Sequence, residues 1–185
     1  LNLALLLAAA LGVGLFVLAE TRAASPLVHL ALFREPVLGA GFAMSTLVTT
    51  VVMATLVVGP FYLSGALGLD AARVGLVMSS GPIVAALTGV PAGRMVDRFG
   101  AHRMSVIGLV AMVLGSALLS LLPMRFGIPA YIAPLVVITA GYALFQAANN
   151  TAVMTNIRPE QRGVVSGLLN LSRNLGLITG ASVMG

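Results

Sequence analysis

Five uncharged polar side chains recur on one face of a run that carries no charge. Thr139, Tyr142, Gln146, Asn149 and Asn150 fall at i, i+3, i+7, i+10 and i+11 between Phe126 and Ile157. At 100° per residue they occupy an arc of ~100° and extend about 16 Å along a helix. Such groups hydrogen-bond a ligand, water or another helix, and they supply no nucleophile. A second row follows in Gly163, Ser166, Gly167, Asn170, Arg173, Asn174, Gly180 and Ala181, interrupted by Leu177. It spans an arc of ~140° and places Arg173 about 15 Å along the helix from Gly163. At that depth in a bilayer a charge costs at least ~2.5 kcal/mol. Facing lipid, either row would be costly. The first row reads as the wall of a substrate cavity, or as interhelical hydrogen bonding worth ~0.6 kcal/mol per bond. Five polar groups in one row exceed what packing usually requires, which favours the cavity. Arg173 reads as facing a passage or an anionic partner, or as snorkelling to the interface or capping a neighbour's carbonyls.

The third feature is an ordered cluster of charges. Residues Gly93 to Arg103 read GRMVDRFGAHR and hold three of the ten basic residues and one of the five acidic ones. Asp97 can accept hydrogen bonds from backbone amides and favours a helix N-terminus. Gly100 supplies a turn, and Gly93 allows helices to approach closely. Arg94, Arg98 and Arg103 can pair with a carboxylate such as Glu160. Contacts of this kind would form and break as one side closes and opens, a gate; the competing reading is a simple determinant of topology. The ordered spacing favours the gate.

Other chemistry is excluded. The chain has no Cys, so it has no disulfide or thiolate metal site. His29 and His102 lack a second ligand at metal spacing. No Ser/His/Asp set, intramembrane carboxylate pair or phosphate-cradling loop is present, so an enzyme is not expected, nor a cofactor. The basic pI comes from short loop arginines without interleaved aromatics, which argues against nucleic acid. Phe42, Thr46, Thr49 and Met53 share a face, but buried Thr commonly bonds its own i−4 carbonyl, so this face reads as packing. The nine Met residues read as adaptable filler.

The elements that position these groups are membrane helices. Hydrophobic residues make up 59% and charged residues 8%, with a mean hydropathy of +1.07, against about 25% charged in soluble domains. Twenty-one glycines suit helices that approach through small side chains. Only helices satisfy their own backbone in lipid here, and the charges divide the chain into six: residues 1–19, 37–63, 74–92, 104–123, 130–152 and 163–185. Gly59-Pro60 and Gly81-Pro82 sit inside spans and should kink them. Loops 20–35, 93–103 and 156–163 carry seven arginines, against Arg73 and Arg125 on the other side. The arginine-rich side is therefore expected in the cytoplasm. Tyr62 and Tyr131 fall at the opposite ends, as for an interfacial aromatic belt. A short interfacial helix is expected in SPLVHLALF, with Ser25 as cap and Pro26 at its first position. The chain opens on Leu1 and stops at Gly185 inside spans, so a piece of a longer protein is expected.

The turn Gly93–Arg103 closely resembles the signature cytoplasmic loop of the major facilitator superfamily, which joins the second and third helices of a six-helix half. The match covers Gly93, the Asp97-Arg98 pair, Gly100 and the closing Arg103; His102 replaces a usual basic residue. Arg158-Pro159-Glu160-Gln161-Arg162-Gly163, followed by Ser166-Gly167, is similar to the family's loop between the fourth and fifth helices. The two loops lie two spans apart, in proper register. The sixteen-residue link Glu20–Glu35 after the first span resembles the fourteen-span drug:proton antiporters of the multidrug efflux branch. The resemblance implies an all-α membrane protein holding part of that fold. Residues 1–19 would be a linker helix between halves, 20–36 a cytoplasmic loop, and 37–185 a C-terminal half lacking its last helix. It further implies a multi-pass protein of the bacterial inner membrane, exporting small organic, often cationic or amphipathic, compounds in exchange for protons. The proton-carrying carboxylate would lie outside this segment, in the missing N-terminal half or last helix. A dedicated exporter of one metabolite or antibiotic, an importer, and a non-transporting sensor or scaffold with the same fold are the alternatives.

Overall fold

In the computed structural model the described residues are 11, 12, 14, 15, 18, 19, 21, 22, 35–123, 126–155 and 157–184. They belong to two units, Leu1–Gly39 and Ala40–Gly185. In the first, the described residues from Leu11 to Arg22 are helical, and the Thr21 hydroxyl donates to Leu18 O at 3.1 Å. Much of the expected span 1–19, and nearly all of loop 20–36 with its interfacial helix, lie outside the described residues.

The rest is helix throughout, with no strand among the described residues. Helix α1 (Pro36–Phe61) runs into a π turn (Tyr62–Ala66). It is followed by α2 (Ala71–Met78), α3 (Ser80–Phe99), α4 (Ala101–Leu121), α5 (Ile128–Met154), a 3-10 turn (Pro159–Gln161) and α6 (Arg162–Met184). Among the described residues four stretches are long and apolar enough to cross a membrane: Pro36–Ala66, Ala71–Phe99, Ala101–Leu121 and Ile128–Met154. Helix α6 is long enough, about 34 Å, but Asn170, Arg173 and Asn174 make it more polar, and it is not among the four. Of the six expected spans, the first lies mostly outside the described residues, and four of the other five qualify on length and composition.

At Gly81-Pro82, where a kink is expected, the helix is interrupted for one residue, Ser79, which keeps helical dihedrals (φ −65°, ψ −17°), and proline chemistry places the interruption. The Pro82 ring collides with the carbonyl four residues back, that of Met78, and offers no N–H to it. Helix α2 ends at Met78, Ser79 makes a turn, and α3 restarts at Ser80. The two serines bond the neighbouring carbonyls: Ser79 Oγ donates to Leu76 O and Ser80 Oγ to Val77 O, each at 2.7 Å. Such local bonding is what makes a broken helix tolerable in lipid. Upstream, Asp70 caps α2, accepting from Arg73 N at 3.0 Å.

Small residues set the packing. A Cβ at Gly108 of α4 would stand 2.7 Å from Gly141 O and Phe145 N of α5, and one at Gly115 would stand 3.1 Å from Pro134 O. The two helices are thus antiparallel with their backbones in contact. Gly41 of α1 faces Val153 and Asn149, and Gly59 faces Tyr131, so α1 also runs antiparallel to α5. Gly176 of α6 abuts Thr46 and Thr50, and Gly180 abuts Thr50 and Ala54, so α6 runs parallel to α1. Ala92 and Val96 of α3 pack with Leu144 and Ala148, fixing α3 parallel to α5. These directions gather Arg94, Arg98, Arg103, Arg158 and Arg162 at one end. Tyr131 departs from the expected lipid-facing belt: it is 1% exposed, stacks on Tyr62 at 6.0 Å, and donates its hydroxyl to Met78 Sδ at 3.2 Å.

Candidate functional site

Most of the buried polar chemistry runs along the contacts that α1 makes with α5 and α6. The buried polar side chains among the described residues are Ser45, Thr49, Asn149 and Ser172. Asn149 donates from Nδ2 to Gly41 O at 3.1 Å and to Ser45 Oγ at 2.9 Å. Thr49 donates to Ser45 O at 2.6 Å, and Ser172 to Leu168 O at 2.9 Å. Thr46 shares its proton between Phe42 O at 3.1 Å and Ser172 O of α6 at 3.0 Å. The threonine face of α1 is packing, as its spacing indicates, with i−4 carbonyls as acceptors.

Asn149, expected in the cavity row, lies between α5 and α1. It is 2% exposed and spends its amide protons on α1, as a tie between helices. Neighbouring Asn150 turns the other way and accepts a hydrogen bond from Arg173 Nη2 of α6. The rows on α5 and α6, read separately in the sequence, therefore meet at this pair. Arg173 Nη1 also reaches Asn170 Oδ1 at 3.4 Å. Ser166, Gly167, Asn170 and Asn174 are exposed, whereas Val165, Leu169, Ser172, Gly176 and Gly180 form the buried face of α6. Gly180, counted in the polar row, belongs to that packing face instead. Gln146 is half-buried, one turn before Asn150.

Thr139 and Tyr142 lie elsewhere. With Val52, Thr55, Met78 and Pro82 they line a cleft of about 230 Å³ between α1, the α2–α3 break and α5. Its walls are nearly all apolar side chains, and it is smaller than the ~300–1,000 Å³ usual for ligand pockets. The five-residue row thus serves three neighbours: the cleft, α1 and α6. Gly41, Ser45 and Ser172 escape the sequence reading. The four-residue spacing of Gly41 and Ser45, small residues stacked on one helix face, is the signal that points to them.

The ordered turn is shorter than its motif. Gly93 to Phe99 is the last part of α3, and the reversal rests on Gly100 alone, at φ 88° and ψ 146°. Backbone in that region is essentially open only to glycine. Gly93 is not at a helix contact, since a Cβ there would meet no atom within 4 Å. Asp97 is exposed and sits in the last turn of α3, the negative end of the helix. The expected amide bonds to Asp97 and the arginine pairing with Glu160 are not made; the one ion pair among the described residues is Arg73 with Asp70, at 3.8 Å and exposed. Arg98 lies over the Phe99 ring at 5.3 Å. Arg103, Glu160, Arg162 and Gly163 are exposed at the same end.

Comparison with known proteins gives this arrangement its context. The Major Facilitator Superfamily model matches residues 1–181. The chain is 32% identical to the drug efflux pump JefA of Mycobacterium tuberculosis over 182 residues, covering 98% of the chain and 36% of JefA. It is 31% identical to the transporter YebQ of Escherichia coli over 159 residues, covering 86% of the chain and 35% of YebQ. With the multidrug efflux pump LfrA of Mycolicibacterium smegmatis it shares 27% identity over 187 residues, covering 96% of the chain and 36% of LfrA. The chain spans about a third of the length of these curated relatives. A match over nearly every residue, on a helical chain whose α3–α4 turn carries the signature spacing, places it in one family: the chain belongs to the Major Facilitator Superfamily.

Proposed function

We propose that the whole protein exports small organic compounds by alternating access, and that this chain forms most of its second helical bundle. In this reading residues 1–19 are a spanning helix between two bundles, and α1, α2–α3, α4, α5 and α6 are five helices of a six-helix half. The arginine-rich end faces the cytoplasm, and the protein is a fourteen-span antiporter of the inner membrane. Similarity along nearly the whole of this chain to proteins named as drug efflux pumps carries the export reading. The exposed polar face of α6, continuous with Asn150 and Gln146, supports it physically. A row containing a charge is too costly to leave in lipid, so it belongs against the other bundle or against water. Proton coupling is part of the same proposal, with its carboxylate outside this segment.

The test is transport by the whole protein in vesicles, with a fluorescent cationic dye as substrate, with and without an imposed proton gradient. Export accelerated by inward proton movement is the expected result. Dye movement indifferent to the gradient removes proton coupling, and no transport of dyes or of a panel of small organic compounds removes the export reading. Residues 1–185 alone should not transport, because the path between two bundles needs both.

A further inference from the structure

We propose that Arg173, Asn150 and Asn170 form a carboxylate-binding site midway along α6, open on the polar face shared with Gln146. The proposal rests on the export reading and adds to it the chemistry of one ligand group.

Arg173 is eleven residues from the start of α6 at Arg162, about 16 Å along its axis and near the middle of a bilayer. A cation at that depth is expensive and normally faces an opposite charge or a water-filled space. No carboxylate of the described residues reaches it, and the only ion pair among them is the exposed Arg73–Asp70 pair. Its partners are two neutral amide oxygens, Asn150 Oδ1 through Nη2 and Asn170 Oδ1 through Nη1. Those bonds hold the guanidinium in place and do not neutralise it.

They also fix the polarity of the surface. An asparagine oxygen bonded to the guanidinium keeps one lone pair, but both donors of its NH2 are free, and guanidinium offers only N–H groups. Neither amide nitrogen makes a hydrogen bond among the described residues, so free donors outnumber acceptors across the three side chains. Arg173 is half-buried and Asn170 exposed, so the group is reachable. A set of donors around one planar cation matches a carboxylate, whose two oxygens accept from the fork of an arginine. A cationic group would meet repulsion here, and a neutral amphiphile would leave the donors unanswered. The carboxylate is either carried by the transported solute or is an Asp or Glu side chain of the rest of the protein.

Charge-selective labelling separates these sources and does not need transport to occur. In the full-length protein, make Gln146→Cys the sole cysteine, one turn from Asn150. Compare its reaction with an anionic sulfonate thiol reagent and a cationic trimethylammonium one of equal size. An open site predicts that the anionic reagent reacts faster by at least about fivefold. Arg173→Gln should abolish that preference, and benzoate, unlike benzamide, should slow the reaction. A resident carboxylate predicts no preference in the parent and a cationic preference of about fivefold once Arg173→Gln leaves that carboxylate unpaired. Should Arg173→Gln fail to reach the membrane, Asn150→Asp supplies an internal carboxylate to the same guanidinium. For an open site it must remove the anionic preference, and for a resident one it must create a cationic preference. Equal ratios in all backgrounds, an anionic preference that benzoate leaves untouched, or no labelling at residue 146 would overturn the proposal. Dye export measured on the same preparations keeps the two readings apart. An inert parent sinks export, and a working pump with a ratio indifferent to Arg173 sinks this site alone.

Discussion

Asn149 and Asn150 are adjacent amides with opposite duties, and the difference is a rotation of 100° along a helix. The polar row on α5 is about that wide, so these two residues stand at its two edges. One edge is pressed against α1 at Gly41 and Ser45; the other reaches α6 at Arg173. Sequence spacing defines the row but not which helix lies beyond each edge, and Asn149 turns out to face α1. The positions of Asn150 and Arg173 on polar faces were legible; their contact with each other was not. We expect Asn149→Ala to destabilise the protein by ~1–2 kcal/mol, through two lost interhelical bonds and a stranded Ser45 hydroxyl. Thermal unfolding in detergent measures this. A change in substrate affinity with unchanged unfolding would instead return Asn149 to the cavity wall.

The helices themselves were the most readable part, because charge-free runs and helix length in a bilayer constrain each other. Expected spans 104–123 and 130–152 are helices Ala101–Leu121 and Ile128–Met154. The main error lies in the turn: charged residues were read as loop, yet Gly93 to Phe99 continues α3, since arginine and aspartate at a helix end meet solvent as readily as in a loop. Gly100 was assigned correctly because a one-residue reversal demands its backbone freedom. Glycines elsewhere divide by contact. Gly108→Ala places a methyl 2.7 Å from the α5 backbone and should cost ~1–3 kcal/mol. Gly93→Ala, in open space on a helix, should be neutral or gain up to ~1 kcal/mol. Unfolding of both variants checks the pair; equal effects would mean that α4 and α5 are not in backbone contact.

Asp97 belongs to the same element and has a different fate. It sits at the negative end of α3, exposed and without an ion pair among the described residues, so no described group repays its position. Asp97→Asn should therefore change thermal stability by no more than ~0.5 kcal/mol. It should lower turnover at least about tenfold with little change in substrate affinity, the pattern of a contact made only during the cycle. Transport rate and equilibrium binding, measured on one preparation, decide it. A normal rate removes the gating role, and lost affinity at unchanged turnover moves Asp97 to the substrate.

At the scale of the whole molecule, the proposed arrangement has the polar face of α5 and α6 lining a passage opened alternately to the two sides by rocking of two bundles. Local sequence could not reveal which face is covered, because in that proposal the covering bundle lies outside this chain. Composition and the ordered turn could still reveal the family, since both are local. The most direct measurement uses Gln146→Cys as the only cysteine, in full-length protein inserted in one orientation in sealed vesicles. An impermeant thiol reagent is applied from one side and then, in separate vesicles, from the other. The account predicts reaction from both sides, with conditions that raise reactivity from one side lowering it from the other. Reaction from a single side under every condition, or none from either, would contradict alternating access along this face.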